Sequence, residues 1–368
     1  MPVIQNPKRA AMPRRLLQAF RFVNSRLVGL SYRLNLPFVL GGPVSLMVEP
    51  SGACNLRCPL CPTGLKLTQR DGYTLSPETF ERALGWFRYT LRTITFWNYG
   101  EPFLNRDLAR MVALASRHDI LTQMSTNGMF LERPMLDELL QAGLTRLIVS
   151  VDTPDPEVYP RYRVRGDFDR VVRGFRHAAG RKRALGAKTE LIAQYMLMQD
   201  SEDIDSIIAH GRSLGADKVI VKTIGIGSAV PEPSEREWAL MPEADEFNRY
   251  VSREDLRAKI HWDDARCSYI WRRMVLNSDG HCVPCCRDQM AEFDLGSVAG
   301  GRTLAAVWNG PGYRDYRRRI RETQRKAVMC QRCPELVHKE MDPGLVFTAK
   351  DAAAGAPAGP EPVLEPSG

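Results

Sequence analysis

Acidic residues are absent from the first 48 positions of this 368-residue chain. The same stretch carries Lys8, Arg9, Arg14, Arg15, Arg21, Arg26 and Arg33, so much of the formal net charge of +8 lies at one end. Leu16, Leu17, Phe20, Val23, Leu27 and Leu30 recur between the arginines at roughly helical spacing. A basic amphipathic helix of this kind lies either on an anionic membrane surface or on the body of its own protein. The expectation is the second, with the apolar stripe packed and the arginines in water. The segment lacks interleaved aromatics and any recognition motif, which argues against nucleic acid as a partner. No apolar run reaches the roughly 18 residues of a membrane-spanning helix. No leader with a clear apolar core precedes the first motif. Nine cysteines in such a chain read as metal ligands sooner than as disulfides. Cytoplasmic residence follows as an expectation, because oxygen destroys exposed clusters.

Three of those cysteines lie in Cys54-Asn55-Leu56-Arg57-Cys58-Pro59-Leu60-Cys61, a C-x3-C-x2-C spacing. Thiolates are the usual ligands of a 4Fe–4S cube, and three on one loop hold three irons. A fourth loop ligand is missing, which leaves one iron open to a non-protein ligand. Structural zinc takes four ligands, and no nearby His or Cys completes that set.

The triplet, with Asn55 and Leu56 behind its first cysteine, resembles the signature of the radical S-adenosylmethionine (SAM) superfamily. That resemblance implies a 4Fe–4S cluster whose open iron binds SAM. It implies reductive cleavage of SAM to a 5′-deoxyadenosyl radical, which abstracts a hydrogen atom from substrate. It also implies a reducing partner such as flavodoxin or ferredoxin. The residue before the last cysteine, usually aromatic in the family, is Leu60 here.

From Pro43 to about Thr223, short β-rich runs alternate with helical patterns, which predicts parallel βαβ units. Strands are expected at 45–49, 93–97, 121–125, 146–151, 189–198 and 218–223. Helices are expected at 77–91 with Ser76 as N-cap, 107–118, 133–142, 168–185 and 201–214. Six units fit an α/β fold built on a partial (β/α)6 radical SAM barrel, with function at the C-terminal strand ends. Polar turns fall there. Asn98-Tyr99-Gly100-Glu101-Pro102 is similar to the family's Gly-Gly-Glu-Pro segment, with Gly100 allowing close backbone approach and Glu101 facing the SAM ammonium. Tyr99 stands where the first glycine is common. Ser125 and Asn127 are assigned to the ribose hydroxyls, Ser150 and Asp152 to SAM or substrate. Arg165, in Arg163-Val164-Arg165-Gly166, is assigned to the SAM carboxylate or substrate. Each turn read alone is also ordinary loop chemistry.

A second cysteine group follows: Cys267, Cys282, Cys285, Cys286, Cys330 and Cys333. The spacing Cys267-x12-Gly280-x4-Cys285 resembles the opening of a SPASM/Twitch extension. Asn277-Ser278-Asp279-Gly280 supplies a hairpin turn. Cys267, Cys285, Cys330 and Cys333 are expected to complete one closed auxiliary 4Fe–4S cluster, and no cysteine remains downstream for another. Zinc is the alternative for four cysteines. Cys282 lies in C-x2-C spacing to Cys285 and can replace one of the four; strand alternation sets Cys286 on the other face.

The resulting organisation is a basic N-terminal extension (1–42), the barrel (43–224), a linker across its mouth (225–260) with a helix from Pro242 to Arg253, a cysteine-rich SPASM/Twitch-like domain (261–345) and a disordered tail (346–368). The helix from Tyr313 to Lys326, dense in arginine, reads as a solvated face or an attractor of acidic substrate. The functional expectation is a radical SAM oxidoreductase acting on a small sugar- or aminocyclitol-like molecule, with the auxiliary cluster as electron acceptor. The alternatives are modification of a ribosomal peptide and a non-catalytic iron–sulfur electron carrier.

Overall fold

The computed structural model describes residues 12–199, 203–259, 266–333 and 345–348. Six strands carry the expected alternation: β1 (Ser45–Val48), β2 (Thr93–Thr95), β3 (Leu121–Thr126), β4 (Arg146–Asp152), β5 (Glu190–Leu197) and β6 (Lys218–Thr223). They pair in parallel in chain order. β4 and β5 read as nearly continuous apolar runs, typical of parallel strands. The helices are α1 (Arg14–Arg33), α2 (Pro77–Leu84), α3 (Leu108–Ser116), α4 (Met135–Gln141), α5 (Tyr159–Tyr162), α6 (Phe168–Leu185) and α7 (Ile204–Ser213); α3, α6 and α7 pack on β3, β4 and β6. Ser76 caps α2 by accepting from Thr79 N at 3.2 Å. Asp167 and Asp203 cap α6 and α7 in the same way. α2 stops earlier than predicted: Gly85, at φ +48°, turns the chain into a 3-10 segment, Gly85–Tyr89.

The sheet does not end with the barrel units. β7 (Arg273–Leu276) lies parallel beside β1, and β8 (Cys282–Val283) pairs antiparallel with β7. The hairpin turn between them needs Gly280 at φ +86°. At the far edge β9 (Leu345–Thr348) runs antiparallel to β6. The order is therefore β8-β7-β1-β2-β3-β4-β5-β6-β9, an open barrel with no closing pair among the described residues. The C-terminal cysteine region is thus built directly onto the barrel's first edge.

Three expectations are corrected. The tail was placed from residue 346, yet Leu345–Thr348 form a strand; 349–368 lie outside the described residues. No helix spans 242–253. Asn248 Oδ1 accepts from Tyr250 N, and Tyr250 Oη is bonded to Ile226 N at 2.6 Å, which ties this segment to the end of β6 in an irregular path. Only short turns form nearby, Glu235–Trp238 and Asp245–Phe247. Finally, Arg317 in helix Pro311–Lys326 is buried. It donates to Ile270 O (3.0 Å) and Trp308 O (2.9 Å) and lies over the Trp308 ring.

Fully buried Leu46, Ile94, Phe96, Met124, Leu147, Phe80 and Phe175 join sheet to helices. Each such side chain contributes about 1.5–3 kcal/mol of burial. Trp271 and Trp308 donate their indole N–H groups to Leu36 O and Gly41 O, both at 2.9 Å. These bonds strap the segment after α1 to the C-terminal region. No helix among the described residues is long and apolar enough to cross a membrane.

Candidate active site and second thiol set

The loop after β1 carries Cys54, Cys58 and Cys61. Its backbone is held from both sides, by Arg57 N to Val164 O (2.9 Å) and by Gly227 N to Leu60 O (3.1 Å). Cys58 is buried; Cys54 and Cys61 are half-buried. Burial pushes the Cys54 thiol up to about 12, and the nearby Glu101, Cys58 and Cys61 add to it. Burial raises Cys58 as well, against the opposing charge of Arg163. A bound metal's positive charge would hold such thiols as thiolates. Three thiols on one loop, with no fourth Cys or His beside them in the sequence, suit a cube, whose thiolates bind separate irons.

The turn after β2 packs flat on this loop. Gly100 has φ +83°, and a Cβ there would lie 2.0 Å from Ser51 O. Glu101 N donates to Ala53 O at 2.7 Å. The Glu101 carboxylate, expected to face an ammonium, has three hydrogen-bond donors within the protein. It accepts from Thr126 Oγ1 (2.7 Å), Asn127 N (2.9 Å) and Phe103 N (3.1 Å). Burial raises its pKa, and those donors work in the opposite direction. Glu101 thus braces the β2 turn against the β3 turn. Asn127 is similarly occupied. Its Nδ2 donates to Asn55 Oδ1 at 2.8 Å and lies 4.0 Å from Cys54 Sγ, and its Oδ1 accepts from Met129 N. Ser125 is half-buried on β3. Ser150 accepts from Gln194 Nε2 at 3.4 Å.

Asp152 ends β4 with φ +68° and is fully buried. Arg163 pairs with its Oδ2, while Oδ1 has no hydrogen-bond partner among the described residues. Arg163 Nη1 also donates to Cys58 Sγ at 3.6 Å. Burial opposes its charge, but Asp152 and Cys58 outweigh burial and hold the guanidinium well above its usual range. Arg165, the arginine chosen from sequence, is exposed and has φ +70°. The structure therefore turns Arg163 toward the cysteine loop and Arg165 toward solvent.

The second thiol set surrounds a cavity. Cys267, Cys285, Cys330 and Cys333 line it, with Tyr316 and Ile320 among the other walls. Cys286 lines it too, against the alternation argument, because the strand ends at Val283 and the chain turns. Burial raises Cys285, and the neighbouring Cys286, Cys333 and Cys267 add to it. Burial pushes Cys330 up to about 12, with Cys333 and Cys267 contributing. Cys282 is fully buried on β8 and is not among the cavity's lining residues.

A polar bridge, not foreseen from sequence, joins the two thiol sets. Tyr99 Oη donates to Cys286 O at 2.8 Å and accepts from Gln289 Nε2. Asn98 Nδ2 donates to Asn277 Oδ1 at 3.1 Å. Below them Arg70 makes a buried two-pronged pair with Glu49 (2.9 and 3.3 Å) and donates to Gln289 O (3.0 Å). Glu49 also accepts from Ser278 N and Oγ. The aromatic at the usual glycine position was visible in the sequence; its bonding partners, about 190 residues away, were not.

Such a constellation on an open parallel barrel defines a radical SAM enzyme with an appended cluster domain. Family comparison agrees: the Radical SAM superfamily matches residues 48–209, and SPASM, an iron-sulfur cluster-binding domain, matches residues 267–334. The chain carries a domain of the radical SAM superfamily and a SPASM domain. The first domain binds a 4Fe–4S cluster and SAM, and the second binds auxiliary iron–sulfur. Its relatives include the PqqA peptide cyclase of Bradyrhizobium diazoefficiens, 26% identical over 303 residues, covering 75% of this chain and 76% of that protein. The PqqA peptide cyclase of Xanthomonas campestris pv. campestris (strain B100) is 26% identical over 352 residues, covering 88% and 87%. Among solved structures, Streptococcus suis SuiB bound to S-adenosylmethionine shares the fold, with TM-score 0.58 and 16% identity, covering 84% of this chain and 75% of that one.

Proposed function

We propose that this chain performs radical modification of a peptide, forming a cross-link or ring in it. The observation that carries this reading is its similarity to peptide cyclases along a stretch long enough to include both thiol sets. That similarity favours a peptide over the small sugar-like substrate expected from the shortness of the segment before the barrel. Cys54, Cys58 and Cys61 would hold the SAM-binding cluster, and Cys267, Cys285, Cys330 and Cys333 the auxiliary one. When bound, the first cluster with SAM supplies a 5′-deoxyadenosyl radical for hydrogen abstraction, and the auxiliary cluster supplies an electron acceptor.

The protein's own residues contribute position and exclusion. Gly100 brings the β2 turn against the cysteine loop, and Glu101 with Asn127 fixes that turn to β3 and to Asn55. Arg163 supplies positive charge beside Cys58. Tyr99, Gln289 and the Glu49–Arg70 pair fix the second thiol set relative to the first. A preorganised frame of this kind holds reacting groups in place without reorganisation.

The test uses protein reconstituted without oxygen, reduced with dithionite and given SAM. Short peptides encoded beside its gene are added one at a time. The reading expects 5′-deoxyadenosine above the peptide-free level and a peptide lighter by two hydrogens per cross-link. Unchanged peptides alongside a modified sugar would overturn it.

A further inference from the structure

α1 lies on the body by the wrong face. The residues it buries are Leu17, Arg21, Asn24, Val28 and Ser31, three of them polar. Arg21 donates to Asp119 O (2.7 Å) and His118 O (2.9 Å), and Asn24 Nδ2 to Gly42 O (3.0 Å). Ser31 Oγ accepts from Leu40 N at 3.0 Å. Hydrogen bonds from polar side chains thus help to hold this helix down. The expectation of a packed apolar stripe is met only at Leu17; the arginines lie in water as expected except Arg21, which is buried.

The stripe is left outside. Leu16, Phe20, Val23, Leu27, Leu30 and Leu34 fall within about 40° of one line along the helix, centred about a quarter turn from the buried face. Leu16 is 58% exposed, Val23 55% and Leu34 60%; Phe20 and Leu30 are also exposed, and Leu27 is half-buried. The apolar surface extends beyond the stripe, to Phe22 on the helix and to Phe38 and Leu40 after it. On the side away from the body it is edged by Arg15, Arg26 and Arg33, all exposed. No acidic residue occurs before Glu49.

We infer that this face docks on an anionic lipid bilayer, with α1 lying in the plane of the interface. The charge edge selects an anionic partner. A second copy of the chain is disfavoured, because a two-fold contact would set arginine against arginine. A single partner helix is disfavoured, because the apolar surface is wider than one helical seam and continues off the helix. A bilayer accepts a broad convex apolar surface and lets arginines extend to the headgroups. Docking of this kind is independent of which substrate the barrel takes.

Vesicle flotation with the full-length, cluster-loaded protein tests it. The protein should float with phosphatidylcholine vesicles that contain phosphatidylglycerol and remain below with phosphatidylcholine alone. High salt should release it. Phe20→Glu with Val23→Glu should abolish flotation. Replacing Arg15, Arg26 and Arg33 by Gln should weaken it about a hundredfold, the effect of three basic residues near an anionic surface. All five positions are exposed, so iron content and circular dichroism should be unchanged in both variants. The inference is overturned by wild-type protein that does not float, by double-Glu protein that floats equally well, or by a dimer in light scattering that the double-Glu variant splits.

Discussion

The Arg163 guanidinium stands between Asp152 and Cys58, pairing through Nε with the carboxylate and donating from Nη1 to the sulfur at 3.6 Å. A cation fixed by a buried anion is thereby presented to a thiol of the cysteine loop. Removing it has two consequences. Arg163→Met leaves Asp152 buried without a counter-charge, which costs about 3–5 kcal/mol; thermal denaturation reads this. In loaded protein, loss of a donor to a cluster sulfur shifts the midpoint potential negative, because hydrogen bonds to such sulfurs favour the reduced state. Potentiometric titration followed by EPR checks the shift. Arg165→Met should change neither quantity appreciably.

Tyr99 links the β2 turn to the second thiol set through one hydroxyl. Tyr99→Phe leaves Cys286 O and Gln289 Nε2 without this partner, at a cost of about 1–3 kcal/mol. Iron content should stay at the wild-type value. A thermal midpoint equal to wild type would show that the bridge contributes nothing.

Cysteine substitutions should sort into two groups by iron. Cys267→Ala, Cys285→Ala, Cys330→Ala and Cys333→Ala should each lower iron from about eight to about four per chain. Cys282→Ala, outside the cavity, should leave it at about eight. Cys286→Ala tests the fifth cavity thiol, and full iron retention is expected. Loss of iron in the Cys282 variant, with secondary structure intact, would exchange its role with that of Cys285.

His118 gives a pH dependence far from the thiols. Burial, with Arg88, Arg117 and Arg21 nearby, lowers its pKa from 6.5 to about 4. The fold therefore favours the neutral ring. Its contribution to stability is present above pH 6.5 and is lost as pH falls from 6.5 toward 4. His118→Gln should flatten that part of a urea-midpoint profile. An unchanged slope would place its origin in other groups.

The parallel architecture was legible because its strands are short β-rich runs separated by helices with marked caps. The cysteine sets were legible because thiol spacing along one loop is a local property. What sequence did not show was the side chains' partners within the protein. Glu101 and Asn127 lie in the expected turns, and their polar atoms meet Thr126, Phe103 and Asn55. Arg163 and Arg165 are two residues apart, and only backbone geometry decides which faces inward. α1 was misread because apolar periodicity was taken to mark the packed face, whereas Arg21 and Asn24 find carbonyl partners on the body. β7 joining β1 depends on a pairing more than 200 residues apart, for which no local signal exists.

Production of 5′-deoxyadenosine tests the central claim most directly. Oxygen-free, reduced wild-type protein should convert SAM to 5′-deoxyadenosine and methionine, and Cys58→Ala should not while keeping its auxiliary iron. Wild-type protein with a full iron complement that leaves SAM intact, or a Cys58→Ala variant that cleaves it equally well, would contradict the account.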